Sequence, residues 1–89
     1  MLLPTHRAER DPTVSQTVTD IVARHAGVAT TRVNLRSRLV DFGIDSLRAI
    51  DIILDLETAF EMSIPDGELL ALQTLADVAD YIEKRRPSR

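Results

Sequence analysis

The sequence predicts an all-α domain: a bundle of three main helices and one short helix, with a long first loop. Three observations carry this. Apolar residues recur at helical spacing in separate stretches of the chain. Start and stop signals bound those stretches. Aromatic residues make up only 3% of the 89 residues, so the core must be built from Leu, Ile, Val and Ala. Such residues suit packed helices better than aromatic-rich strands.

Residues 1–11, with Pro4 and several charges, show no period and read as a lead-in. Asp11 and Pro12 give an N-cap followed by a proline at the first helical position. A start shifted to a Thr13–Gln16 capping box is the competing reading. Val14, Val18, Ile21, Val22 and Ala26 form the stripe of this first helix, and Gly27 stops it. His25 near its end is read as a C-terminal cation or a partly exposed helix residue. Residues 28–44 are apolar in places but have no clean period. They read as a loop pinned to the core by its hydrophobic residues, with a helical turn near 36–40. A second helix, capped by Asp45 or Ser46, runs from about residue 46 to about 60. Leu47, Ile50, Ile53, Leu54, Glu57 and Phe60 have its spacing, and Ile52 and Leu56 widen the apolar face. Asp66 caps a short helix after Pro65. Thr74 and Asp77 resemble a capping box for a last helix with the stripe Leu75, Val78, Ala79 and Ile82. Tyr81 is expected to pack with its hydroxyl at the surface. The folded domain is therefore residues 12–83, followed by a basic tail at 84–89.

Composition removes several function classes. The chain has no cysteine, which excludes a disulfide framework, thiolate metal sites and a cysteine nucleophile. His6 and His25 are too far apart in sequence to suggest a metal cluster, and no apolar run reaches membrane-spanning length. A cytoplasmic location is expected. No Gly-x-Ser-x-Gly elbow, phosphate loop or calcium loop is present, so nothing supports an enzyme. Net charge is −3 but unevenly spread. Residues 1–40 hold six arginines against Glu9, Asp11 and Asp20, whereas residues 41–83 hold eleven acidic residues against Arg48 alone. The acidic body repels nucleic acid and attracts basic protein surfaces. On charge alone, a solvated face kept acidic for solubility is the preferred reading.

The informative stretch is Asp41-Phe42-Gly43-Ile44-Asp45-Ser46-Leu47. Gly43 permits a tight turn, Phe42 and Leu47 flank it, and Ser46 stands at a helix N-terminus. Unpaired N–H groups and a partial positive charge favour a phosphate there, so Ser46 is well placed for a phosphodiester. On these grounds alone Ser46 or Asp45 serves equally well as a simple cap, which is the commoner use of such residues.

The stretch resembles the (Asp/Glu)-x-(Leu/Phe)-Gly-x-Asp-Ser-Leu motif of the acyl carrier protein family. The resemblance continues through the helix Ile50–Phe60, Ile64-Pro65-Asp66, Thr74-Leu75 and Asp80-Tyr81-Ile82, and covers roughly residues 12–83. Several landmarks in register are far more specific than one Asp-Ser-Leu tripeptide. The resemblance implies an acyl-carrier-type four-helix bundle. It implies a covalent 4′-phosphopantetheine arm, moved from coenzyme A to Ser46 by a phosphopantetheinyl transferase, with Asp45 and Leu47 flanking the attachment. The arm's thiol explains how a chain without cysteine carries thioesters. It implies an acyl pocket between helices, which Leu54, Ile64, Leu69 and Leu72 are positioned to face; ordinary core packing is the competing reading for each.

By the same resemblance, partner recognition falls to Asp45, Asp51, Leu54 and Glu57. The partners implied are acyl- or aminoacyl-activating ligases, synthases or acyltransferases with basic docking patches. Arg48 departs from the pattern, standing where an acidic residue is frequent, and Thr58 departs likewise. An Arg48–Asp51 pair at i,i+3 is expected, partly neutralising the face, and suggests a specialised carrier. The expected form is a discrete monomer that holds fatty-acyl or polyketide-like intermediates. An aminoacyl or peptidyl carrier using the same serine is the first alternative, although Gly-Ile-Asp-Ser is unlike the Gly-Gly-(His/Asp)-Ser commoner there. An acidic interaction module without the arm is the second.

Overall fold

The computed structural model describes residues 12–65, 67–68 and 71–85. Among the described residues three α-helices form the bundle: α1 (Pro12–Ala26), α2 (Ser46–Phe60) and α3 (Leu75–Arg85). Two 3-10 turns, Thr30–Arg32 and Leu39–Phe42, interrupt the long connection between α1 and α2. Gly67 and Glu68 are helical between α2 and α3. The expected caps Asp11 and Asp66, the pocket residue Leu69, the lead-in and the tail beyond Arg85 lie outside the described residues.

α1 begins at Pro12, so the shifted start is not the one used. The Gln16 side-chain amide donates to Asp20 Oδ1 at 2.8 Å, one turn ahead. The helix ends in a Schellman arrangement. Gly27, at φ 73°, donates to the Arg24 carbonyl, and Val28 donates to the Ala23 carbonyl. α1 packs against both α2 and α3, burying Val14, Val18, Ile21, Val22 and Ala23. Ala23 thus takes the core place expected for Ala26, which is only half-buried. All four residues of the stripe expected for α3 are buried.

The aperiodic connection is held by backbone pairing. Leu39 N–H donates to the Gln73 carbonyl, Leu75 N–H to Ser37, and Ala76 N–H to Leu35, about an isolated antiparallel bridge between Arg38 and Thr74. Val33 and Leu39 sink into the core from this segment. A loop carrying buried backbone needs such partners, and the start of α3 supplies them. The helical turn expected at 36–40 forms slightly later, at Leu39–Phe42.

α2 is where the expected face needs correction. Ala49, Ile52, Ile53 and Leu56 are its buried residues, so the residues read as widening the face are its centre. Leu47, Ile50 and Leu54, read as core-facing, point outward and are 76%, 39% and 56% exposed. α2 is apolar on both sides, so periodicity alone does not say which stripe is covered. α1, which packs on α2, decides it. Fully burying a side chain such as Leu56 contributes about 1.5–3 kcal/mol.

Candidate functional site

The start of α2 is built by two local devices. Gly43, at φ 72°, closes the preceding 3-10 turn and donates to the Val40 carbonyl at 3.1 Å. A side chain at this left-handed position would be strained. Asp45 then caps the helix: its Oδ1 accepts the Arg48 N–H at 2.9 Å, and its carbonyl accepts the Ala49 N–H at 2.8 Å. The choice between Asp45 and Ser46 as cap is thereby decided for Asp45. Ser46 is the first residue of the helix, is exposed, and its hydroxyl has no hydrogen-bond partner among the described residues.

This arrangement fits a phosphodiester. The N–H groups of Ser46 and Leu47 begin the helix and have no carbonyl four residues back within it. They and the helix dipole favour a phosphate on the Ser46 oxygen. The free hydroxyl faces solvent, where a modifying enzyme can reach it. Among the described residues no group of three or more His, Asp or Glu side chains is arranged to hold a metal ion.

Around Ser46 the surface is apolar and acidic together. Leu47, Ile50 and Leu54 form a stripe along α2, and Val40, 64% exposed, sits in the preceding turn. Asp45 and Asp51 are exposed beside them. Leu54 therefore lies on the outer face of α2. Ile64 is 3% exposed and sits in the packed core, and Leu72 is half-buried against it. Leu69, the fourth residue expected at the pocket, lies outside the described residues.

Two further expected recognition residues are engaged within the molecule. Arg48 Nη1 donates to the His25 carbonyl at 3.0 Å, so the guanidinium closes the end of α1 and does not take up the expected pair with Asp51. The last carbonyls of a helix attract a cation. Glu57 is half-buried, and its Oε2 accepts the Ile64 N–H at 2.7 Å, fastening the chain after α2. His25 is also tied across the same junction: its Nε2 lies 2.6 Å from Asp55 Oδ2. His25 and Asp55 are thirty positions apart, and no local pattern signals their contact. Tyr81 donates its hydroxyl to Glu68, and Arg85 lies over the Tyr81 ring at 4.9 Å. The Glu68 carboxylate, by accepting that hydrogen bond, raises the Tyr81 pKa above its ordinary value. The hydroxyl expected at the surface is therefore a tether to the segment before α3.

A family model described as "Phosphopantetheine attachment site" matches residues 16–82. The chain is 39% identical over 72 residues to a protein named acyl carrier protein from Campylobacter concisus, spanning 80% of this chain and 94% of that one. It is 36% identical over 73 residues to an acyl carrier protein from Amoebophilus asiaticus, with 81% and 91% coverage. A third, from Thermotoga maritima, is 33% identical over 69 residues, with 76% and 85% coverage.

Proposed function

The chain belongs to the acyl carrier protein family, whose members bear phosphopantetheine, and from that membership we propose that Ser46 is its attachment residue. It is a carrier and not a catalyst. Family members work with phosphopantetheinyl transferases and biosynthetic enzymes. The observation that carries the assignment is the unengaged Ser46 hydroxyl at the first position of α2, left free because Asp45 takes the cap.

The arm, when bound, supplies a terminal thiol on which acyl groups are held as thioesters. This chain's residues do the rest. Ser46 Oγ is the acceptor oxygen for the phosphodiester, and the first turn of α2 stabilises the phosphate. Asp45 fixes that turn. Leu47, Ile50 and Leu54, with Asp45 and Asp51, form the face offered to enzymes with a basic rim and an apolar centre. Arg48 adds a fixed cation at the edge of this face and supports a specialised partner set; an Arg48→Asp variant with unchanged rates toward every partner would remove that part of the reading. Gly43-Ile44-Asp45 favours acyl over aminoacyl cargo. Residues 12–83 form the carrier unit, acting in the cytoplasm as a monomer.

Incubation with coenzyme A and a broad-specificity phosphopantetheinyl transferase tests the assignment by intact mass. One phosphopantetheine is expected on the native chain and none on Ser46→Ala. Equal gain on both, or none with several transferases, overturns it. Loading with acyl- and aminoacyl-activating enzymes then separates the two cargo classes.

A further inference from the structure

Away from α2, the segment after α1 carries positive charge that the described residues do not neutralise. Arg32, Arg36 and Arg38 are exposed, and the described residues supply no carboxylate partner to any of them. The segment folds back on α1 and encloses an open groove of about 560 Å³. Gln16 and Thr19 of α1 form one wall, and Thr30, Thr31, Asn34 and Arg36 furnish polar groups on the other, over Val33 and Leu35. No residue of α2 lines it. Asp20, which holds Gln16, adds a single negative charge nearby.

From these features we infer that this groove is a second docking surface, which takes an acidic segment of a partner protein. Arg36 lines the groove, and Arg32 and Arg38 are exposed in the same segment; a guanidinium fork matches a carboxylate in geometry as well as in charge. Threonine, asparagine and glutamine side chains suit the amide groups of an extended peptide. A nucleic acid is disfavoured because residues 41–83 carry eleven acidic residues against Arg48 alone, so the basic segment is small beside the acidic part of the chain. A lipid surface is disfavoured because the large exposed apolar side chains, Val40, Leu47, Ile50 and Leu54, lie in or beside α2 and none lines the groove. The carrier then has two surfaces of opposite sign: the α2 face for basic enzymes and the groove for an acidic partner. The groove is independent of the arm on Ser46.

An NMR titration of the isotope-labelled full chain with a synthetic decapeptide of alternating Glu and Ser tests this. Saturable shifts are expected at Gln16, Thr19 and residues 30–38. Binding should weaken about tenfold in the triple variant Arg32→Gln, Arg36→Gln, Arg38→Gln, taking each exposed pair at its usual modest strength. Arm loading of the variant should stay at the native rate. If the triple variant fails to fold, Arg36→Gln alone should still weaken binding severalfold. Shifts scattered over the whole surface, binding unaltered in the variants, or tighter binding to phosphatidylserine vesicles or to duplex DNA would each overturn the inference. Loss of loading at Ser46 with peptide binding intact would count against the attachment assignment and leave this one standing.

Discussion

Helices α2 and α3 both begin with a hydroxyl residue and an aspartate close in sequence, and the two starts are wired oppositely. At α3, Thr74 Oγ1 accepts the Asp77 N–H at 3.1 Å, while Asp77 Oδ2 accepts the N–H groups of Thr74 and Gln73, each at 3.1 Å. This closed capping box uses up the hydroxyl. At α2 the aspartate comes first: Asp45 caps from outside the helix, and Ser46, one position inside, keeps its hydroxyl unengaged. One residue of register separates a hydroxyl spent on stability from one available for chemistry.

The sharpest break of this comparison is Ser46→Ala. It should abolish arm loading while changing unfolding free energy by less than about 0.5 kcal/mol, since an exposed group with no partner is removed. Asp45→Ala should cost about 1 kcal/mol in urea unfolding through the lost cap and also slow loading, because the first turn frays around Ser46. Thr74→Ala should cost about the same in stability and leave the loading rate untouched.

Asp77 sharpens the contrast through pH. The backbone N–H of Thr74, followed by that of Gln73, lowers the Asp77 pKa below the ordinary carboxylate value. In the pH range between the folded and unfolded values the unfolded chain binds more protons. The contribution is therefore present above the ordinary carboxylate pKa and lost as pH falls through the lowered one. Melting temperature measured against pH should fall less steeply at the acid end in Asp77→Asn than in the native chain.

The smallest effect lies at the far end of α2. Where α1 ends on Gly27, α2 ends on Glu61 in the same left-handed region, at φ 53°. Glu61→Gly should therefore raise stability by roughly 0.5–1 kcal/mol, readable as a shift in the urea midpoint.

The helices and their ends were legible in the sequence because caps, glycines and stripes are local. Gly27, the Thr74–Asp77 box and the α3 stripe needed only neighbours within a few positions. The orientation of α2 was not legible, because Leu47, Ile50 and Leu54 are as apolar as Ile52, Ile53 and Leu56 and only the packing of the other helices separates them. The same lack of long-range information hid the His25–Asp55 contact, the bond from Arg48 to the His25 carbonyl, and Glu57's hold on Ile64. Ser46 stood out by its motif, but its freedom depends on Asp45 taking the cap, which only the geometry distinguishes.

On the proposed assignment the free hydroxyl of Ser46, and no other, receives the arm. Tandem mass spectrometry of the loaded native chain tests it most directly. Phosphopantetheine should map to Ser46 alone and stay there, at full occupancy, in Thr74→Ala. Its appearance on Ser37, Ser63 or Thr74, or on any residue of Ser46→Ala, would contradict the account.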